Sequence, residues 1–350
     1  MALNDLTLTK DDLIRIVYDR GCHVVLLGAG ASRASTLRNP ERGGRNLPVM
    51  ADLVDLVGLG DIVKSLPAQL QALNFEDLYS RLHNENPNSA AIQEIEQRVR
   101  GYFAALQLPD EPTIYDYLVC SLRGKDLIAT FNWDPFLYQA WLRNTRFQRP
   151  CLAFLHGNVA VGWSREDKLC GPVGMFVKTN GNELLPTKLL YPVTNKNYND
   201  DEFIVMEWDR VRAWMRDQQT KRFTVFGYGA PRTDVEAMQL LSEAWGPVAQ
   251  RNMEQLEFIN RTPEEELRQQ WSSFVHTHHF ECHESYFESS LANYPRRTIE
   301  SWYHIYAPEV PFVDPNPAPQ DFKTLEQLWE WHEPLRAAEA HITKVDPRRG

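Results

Sequence analysis

Short apolar runs, each closed by glycine or by polar residues, are the first regularity of this chain. His23-Val24-Val25-Leu26-Leu27 runs into Gly28-Ala29-Gly30, and Asp126 to Thr130 runs into Phe131-Asn132-Trp133-Asp134-Pro135. Cys151 to Leu155 leads to His156-Gly157, Arg222 to Phe226 to Gly227-Tyr228-Gly229, and Gln255 to Ile259 to Asn260. Such runs, apolar without strict alternation, predict strands covered on both faces, as in a parallel sheet. Helical spacing fills the intervals. A first helix is predicted from Lys10 to Arg20, with Thr9 and Asp12 as a capping pair and Gly21 at its stop. From Met50 to Leu106 the pattern is helical, interrupted by Pro67 and Pro87, and a further helix spans Ile114 to Leu122 behind Thr113. Asp134 as cap and Pro135 at the first helical position predict a helix through Arg143. Thr233 with Glu236 opens another that reaches Trp245, and Thr262-Pro263 opens the next.

Strands that alternate with helices in this way predict an α/β fold with a Rossmann-like, doubly wound parallel sheet. The expected organisation is one domain over residues 1–275, with a helical insertion at about 48–123, and a C-terminal extension over 276–350. That extension is rich in aromatics, carries prolines from Pro308 to Pro319, and ends in a helical pattern from Thr324 to Ala340 that Pro334 should kink or split. No repeat at a fixed period argues for a solenoid.

Composition narrows the classes. With 350 residues, 43% hydrophobic and 24% charged, the chain is globular rather than disordered. Its net charge of −10 (37 basic against 47 acidic) disfavours direct nucleic-acid binding, which draws on surplus Lys and Arg. No apolar run approaches the roughly 18 residues of a membrane span, and the start MALNDLTLTKDD lacks a secretory pattern. Cys22, Cys120, Cys151, Cys170 and Cys282 include no CxxC pair, which suits a reducing compartment. The expectation is a soluble, cytoplasmic protein without a membrane partner.

In a doubly wound sheet a ligand sits outside the carboxyl ends of the strands. The residues there are small, polar or titratable, and all fall on one rim. Gly28 and Gly30 suit close backbone approach to a diphosphate at a helix N-terminus, although a strand-to-helix turn also uses glycine. The loop lacks the full GxGxxG, and no acidic residue ends a second strand about 20 positions on, which argues against an ordinary dehydrogenase. Asn132 is placed to hold a ribose hydroxyl or a water, and Asp134 serves as a helix cap or faces the cleft. His156, a neutral imidazole after a buried strand, suits a general base.

Together these stretches resemble the sirtuin (silent information regulator) superfamily. The order Gly28-Ala29-Gly30-Ala31-Ser32, Thr130-Phe131-Asn132-Trp133-Asp134, His156-Gly157, Gly227-Tyr228-Gly229 and Ile259-Asn260 is similar to that family's, over about residues 22–262. The resemblance implies that Gly28, Ala29, Gly30 and Ala31 hold the NAD diphosphate, with Ser32 and Arg33 close to the phosphates and ribose. It implies that Asn132, adjoining Thr130, orients the nicotinamide ribose and the attacking group, that Asp134 contacts the carboxamide, and that His156 is the base. Gly227, Tyr228, Gly229 and Asn260 would border the adenosine half. Deacetylating members carry a four-cysteine zinc module after the His-Gly strand, whereas only Cys151 and Cys170 stand near that region here, so no zinc or other metal is expected. Residues 163–208 hold Leu190-Tyr191-Pro192 and Asn195, Asn197 and Asn199 instead.

The departure makes the chain resemble the bacterial sirtuin-like proteins of antiphage defence. That implies an NAD glycohydrolase with NAD as substrate, acting in abortive infection, as a homo-oligomer or beside an operon partner such as a HerA-type ATPase. The alternatives are an NAD-dependent protein deacylase and a noncatalytic sensor of NAD or ADP-ribose. His276, His278, His279, Cys282 and His283 form a metal-like cluster that reads more simply as a polar surface. Leu325, Leu328 and Trp329 share a helix face and read as core or oligomer packing, and Asp200-Asp201-Glu202 reads as a solvated loop.

Overall fold

Cys22–Leu27 (β1), Leu127–Thr130 (β2), Cys151–Phe154 (β3), Thr220–Phe226 (β4), Gln255–Ile259 (β5) and Phe280–His283 (β6) form one sheet. Its order is β3-β2-β1-β4-β5-β6, with every neighbouring pair parallel. This computed structural model describes residues 7–37, 47–193, 198–230, 234–247, 249–251, 254–275, 279–306 and 312–340. Thr233, Asn195, Asn197, His276, His278 and Pro308, singled out above, lie outside the described residues.

The first five strands coincide with the five apolar runs, because each is covered on both sides. Val25, Leu27, Ile128, Phe226 and Ile259 face one core layer, and Val24, Leu26, Leu127, Ala129, Ala153, Phe223, Val225, Leu256 and Phe258 face the other. Each fully buried Val, Leu, Ile or Phe contributes roughly 1.5–3 kcal/mol of transfer free energy. The helices Ala29–Leu37 and Ile114–Ser121 cover the first face, and Glu202–Arg216, Val235–Trp245 and Glu264–Gln270 cover the second. Between β1 and β2 lies the helical insertion, including Phe75–Glu85 and Ala90–Ala104.

Residues 279–306 and 312–340 continue this architecture. β6 extends the sheet, and the chain then crosses its first face. The Tyr286 ring stacks on Phe226 at 6.0 Å, and His23 in β1 bridges Thr224 (2.7 Å) and Thr298 (3.1 Å). Thr7–Leu8 pairs parallel with Phe312–Val313, and the terminal helix Leu325–Glu339 packs on Lys10–Arg15 and Ile114–Ser121. Arg296 and Arg297, both buried, pair with Glu339 of that helix.

Two helix expectations need correction. The first helix ends at Arg15, because the chain beyond it is held by tertiary bonds. The Tyr18 amide donates to Glu300 at 2.7 Å, and the Tyr18 carbonyl accepts from Arg123 (2.7 Å) and Lys125 (3.0 Å). Pro334 does not split the terminal helix, which runs from Leu325 to Glu339 with Leu328, His332 and Leu335 buried on either side of it. Burial of that face outweighs the one backbone bond that proline removes.

Candidate active site

The chain order reverses between β1 and β4, and at such a switch point a crevice opens outside the strand ends. Leu27 stands opposite Thr130 and Phe226, Thr130 opposite Phe154, Phe226 opposite Ile259, and Ile259 opposite His283. All six strands therefore finish in one row, and the residues that follow form one rim.

At its centre the β1 loop and the β2 loop are joined. The Asn132 amide nitrogen donates to the Gly28 carbonyl and to Ser32 Oγ, both at 2.8 Å. Ser32 Oγ is 2.6 Å from the buried Tyr115 hydroxyl, and Thr130 Oγ1 accepts from the Asn132 backbone at 3.0 Å. Asn132 thus spends its nitrogen on the protein, which leaves its carbonyl oxygen as the acceptor for a hydroxyl or water. Asp134 accepts from the Phe136 amide at 3.1 Å, and the helix begins at Phe136 with Pro135 as cap, one residue later than predicted. Burial raises the Asp134 carboxyl to about 6, against the opposing pull of the Ser32 hydroxyl and the Phe136 amide.

Sequence reasoning overlooked Asn158, which clamps the β2 loop to the β3 loop. Its side chain is fully buried and donates to the Asn132 and Asp134 carbonyls at 3.2 and 2.6 Å. The signal was a polar residue directly after His156-Gly157. Gly157 has φ +75°, and a Cβ there would lie 1.9 Å from the Lys188 carbonyl oxygen, so this turn admits only glycine. His156 is buried, with Nε2 2.9 Å from the Tyr198 hydroxyl. The Phe131 ring stands between His156 and Tyr228, 4.6 Å from each.

On the β4 side, backbone approaches backbone. The Gly30 amide donates to the Gly227 carbonyl at 3.0 Å. A Cβ on Gly28 would meet that oxygen at 2.6 Å, and one on Gly227 would meet the Ala31 nitrogen at 2.2 Å. What approaches the Gly28 and Gly30 positions is thus the Gly227-Tyr228 segment. Ala29 opens the helix after β1, in which Ala31 is buried, while Arg33 is exposed with Nη1 3.8 Å from the Asp52 carboxylate. Tyr228 is buried and donates to Asp234 at 3.0 Å, whereas a Cβ on Gly229 would meet open space. Asn260 accepts from the Thr262 amide and hydroxyl, both at 3.2 Å, so its oxygen closes a local turn.

The interval after His156-Gly157 folds into a small antiparallel sheet of Val161–Ser164, Leu169–Pro172 and Leu185–Pro186. Tyr191 lies behind the rim against Trp133 at 4.9 Å. Asp201 caps the helix Glu202–Arg216, so this acidic stretch does more than face solvent. Of the histidine-rich segment, His283 lies 3.5 Å from Glu257 and 3.6 Å from Glu281, two strands from the rim's centre. Burial would raise Glu257, but His283, Arg222 and the Ser290 amide outweigh it and hold the carboxyl at about 2. Arg222 acts on Glu257, and the Glu257 and Glu281 carboxylates raise His283 to about 9, so the group forms an ion-pair cluster.

No family model and no curated protein matches the sequence. Among solved structures the chain is similar to a Sir2 homolog in complex with NAD, at 14% identity and a TM-score of 0.42, covering 84% of this chain and 95% of that one. It is also similar to a mutant Sir2 homologue with ADP ribose, at 12% identity, TM-score 0.35 and coverage of 96% and 100%. A mutant with 2'-O-acetyl ADP ribose matches at 13% identity, TM-score 0.40 and coverage of 86% and 98%. The sheet order and strand register described above define the class of this protein on their own: a Rossmann-like α/β fold with one polar rim at its switch point. No described helix is long and apolar enough to cross a membrane.

Proposed function

We propose that this chain is an NAD glycohydrolase, which adds water to NAD and releases ADP-ribose, nicotinamide and a proton. The observation that carries the reading is the bond of Asn132 to Gly28 and Ser32, which ties the glycine loop to the amide-bearing loop beside His156. Breaking the nicotinamide–ribose bond passes through an oxocarbenium-like state, with neutral nicotinamide as the leaving group. The site must orient the ribose, position a water and accept its proton. The Asn132 carbonyl oxygen would orient ribose or water, His156 would accept the proton, and Asp134 would accept from the carboxamide. The first turn of the helix after β1, where Ala29 and Arg33 are exposed, would take the diphosphate, since the Gly28, Gly30 and Ala31 amides are already bonded to the Phe226, Gly227 and Gly28 carbonyls. Gly227, Tyr228, Gly229 and Asn260 would flank the adenosine.

The wider reading follows the sequence resemblance: a cytoplasmic effector that depletes NAD in phage-infected cells, without zinc, assembled with itself or with a partner such as a HerA-type ATPase. The test is purified protein, with any operon partner, incubated with NAD and analysed by chromatography. Asn132→Ala and His156→Ala are each expected to lower turnover at least about 100-fold, as for loss of a positioned group or a general base. Robust turnover in both variants removes the assignment. Release of nicotinamide only when an acylated peptide is present identifies a deacylase instead.

A further inference from the structure

The Tyr198 hydroxyl lies 2.9 Å from His156 Nε2, and the two rings are near parallel, 21° apart, at 5.7 Å. Tyr198 is 2% exposed and packs edge-on against the buried Trp208 at 4.9 Å. It stands just before the helix Glu202–Arg216, whose Phe203, Ile204, Trp208, Val211 and Met215 are buried. The loop that carries the phenol leads directly into this anchored helix.

Proton accounting fixes the direction of this bond. Among the described residues His156 Nε2 is the one hydrogen-bond partner of the phenol. Were the imidazole to donate, the phenol proton would be buried without an acceptor, which is the costlier arrangement. Burial, with Asp234 and Glu236 nearby, raises the Tyr198 hydroxyl far above its ordinary range, so it keeps its proton. With the phenol as donor, Nε2 accepts and the imidazole proton lies on Nδ1. The nitrogen lone pair that a base needs is already taken.

We infer that Tyr198 is a built-in occupant of the His156 base nitrogen, so that the structure is a resting form and a substrate hydroxyl must displace the phenol. This regulation rests on the reading of the rim as a dinucleotide site. One donor hydroxyl is exchanged for another on the same nitrogen.

Tyr198→Phe keeps the ring and removes the donor. Calorimetry with ADP-ribose should then give a Kd about five-fold lower than wild type, the equilibrium worth of one hydrogen bond. Turnover of NAD should rise through a lower KM rather than a higher kcat. Nitrogen-15 shifts of His156 in the wild-type protein, which need no variant and no activity, should report the Nδ1–H tautomer. Equal or weaker ADP-ribose binding by the variant overturns the gating role while leaving the dinucleotide site intact. An Nε2–H tautomer in wild type overturns it as well. Failure of both proteins to bind ADP-ribose at millimolar concentration overturns the gating role together with the reading beneath it.

Discussion

Asp134 shows what the burial of one carboxyl costs the fold. A fully buried carboxyl with one amide donor is costly to ionise, and its value of about 6 against 3.8 states that cost. The sign follows from the raised value. The folded state favours the protonated form, so this contribution to stability is present below pH 3.8 and is lost as pH rises through about 6. Asp134→Asn, of the same shape and without a charge, should therefore be more stable than wild type at pH 7.5 by on the order of 3 kcal/mol. The gap should close toward pH 4, as chemical denaturation at both pH values would measure. A gap independent of pH would remove burial as its cause. Retention of an ionisable group at such a cost fits a role in the site, where stability and activity commonly oppose each other.

At the scale of elements, the rim depends on two loops that meet through glycine. Gly227 has φ +65°, and its Cβ position lies 2.2 Å from the Ala31 nitrogen, while Gly229 two residues on has open space. Gly227→Ala should cost at least about 3 kcal/mol through backbone strain and displacement of the helix after β1, and Gly229→Ala should stay within about 0.5 kcal/mol. Urea denaturation of the pair checks this, and equal stabilities would refute the packing role. The same loops mark what was legible in the sequence. Buried parallel strands write themselves as apolar runs, so β1 to β5 and their polar ends could be read directly. β6 could not: Phe280 to His283 lies at the sheet edge, alternates in character and carries a Cys and a His, so it resembled a ligand cluster. The helix behind Thr9 is shorter than its pattern predicts, because the bonds that pull Tyr18 out of it come from Arg123, Lys125 and Glu300. Tyr115 and Tyr198 gave no local signal for a similar reason. Tyr198 meets His156 across 42 positions and Tyr115 meets Ser32 across 83, and such pairings exist only once the sheet has closed.

At the scale of the whole molecule, residues 279–306 and 312–340 could form an appendage or part of the core. Three observations point to the core. β6 supplies the sixth strand, with Phe280 opposite Leu256 and His283 opposite Ile259. Glu257, fully buried on β5, has its carboxylate held by the Ser290 amide at 2.7 Å and faced by His283, so removal of the segment strips that charge of two partners. Arg296 and Arg297 reach back to the Leu122 and Leu13 carbonyls at 3.1 and 3.2 Å, joining the terminal helix to the start of the chain. Breaking one partner of a buried ionic group costs about 3–5 kcal/mol, and uncovering Phe226 and Ile259 costs roughly 1.5–3 kcal/mol each. Those losses together reach the 5–15 kcal/mol that holds an ordinary domain folded. A chain ended after residue 275 is therefore expected to lose cooperative unfolding and near-ultraviolet circular dichroism and to bind a hydrophobic dye. A sharp two-state transition in that truncated chain, with NAD or ADP-ribose still bound, would make the segment an appendage free to serve assembly alone.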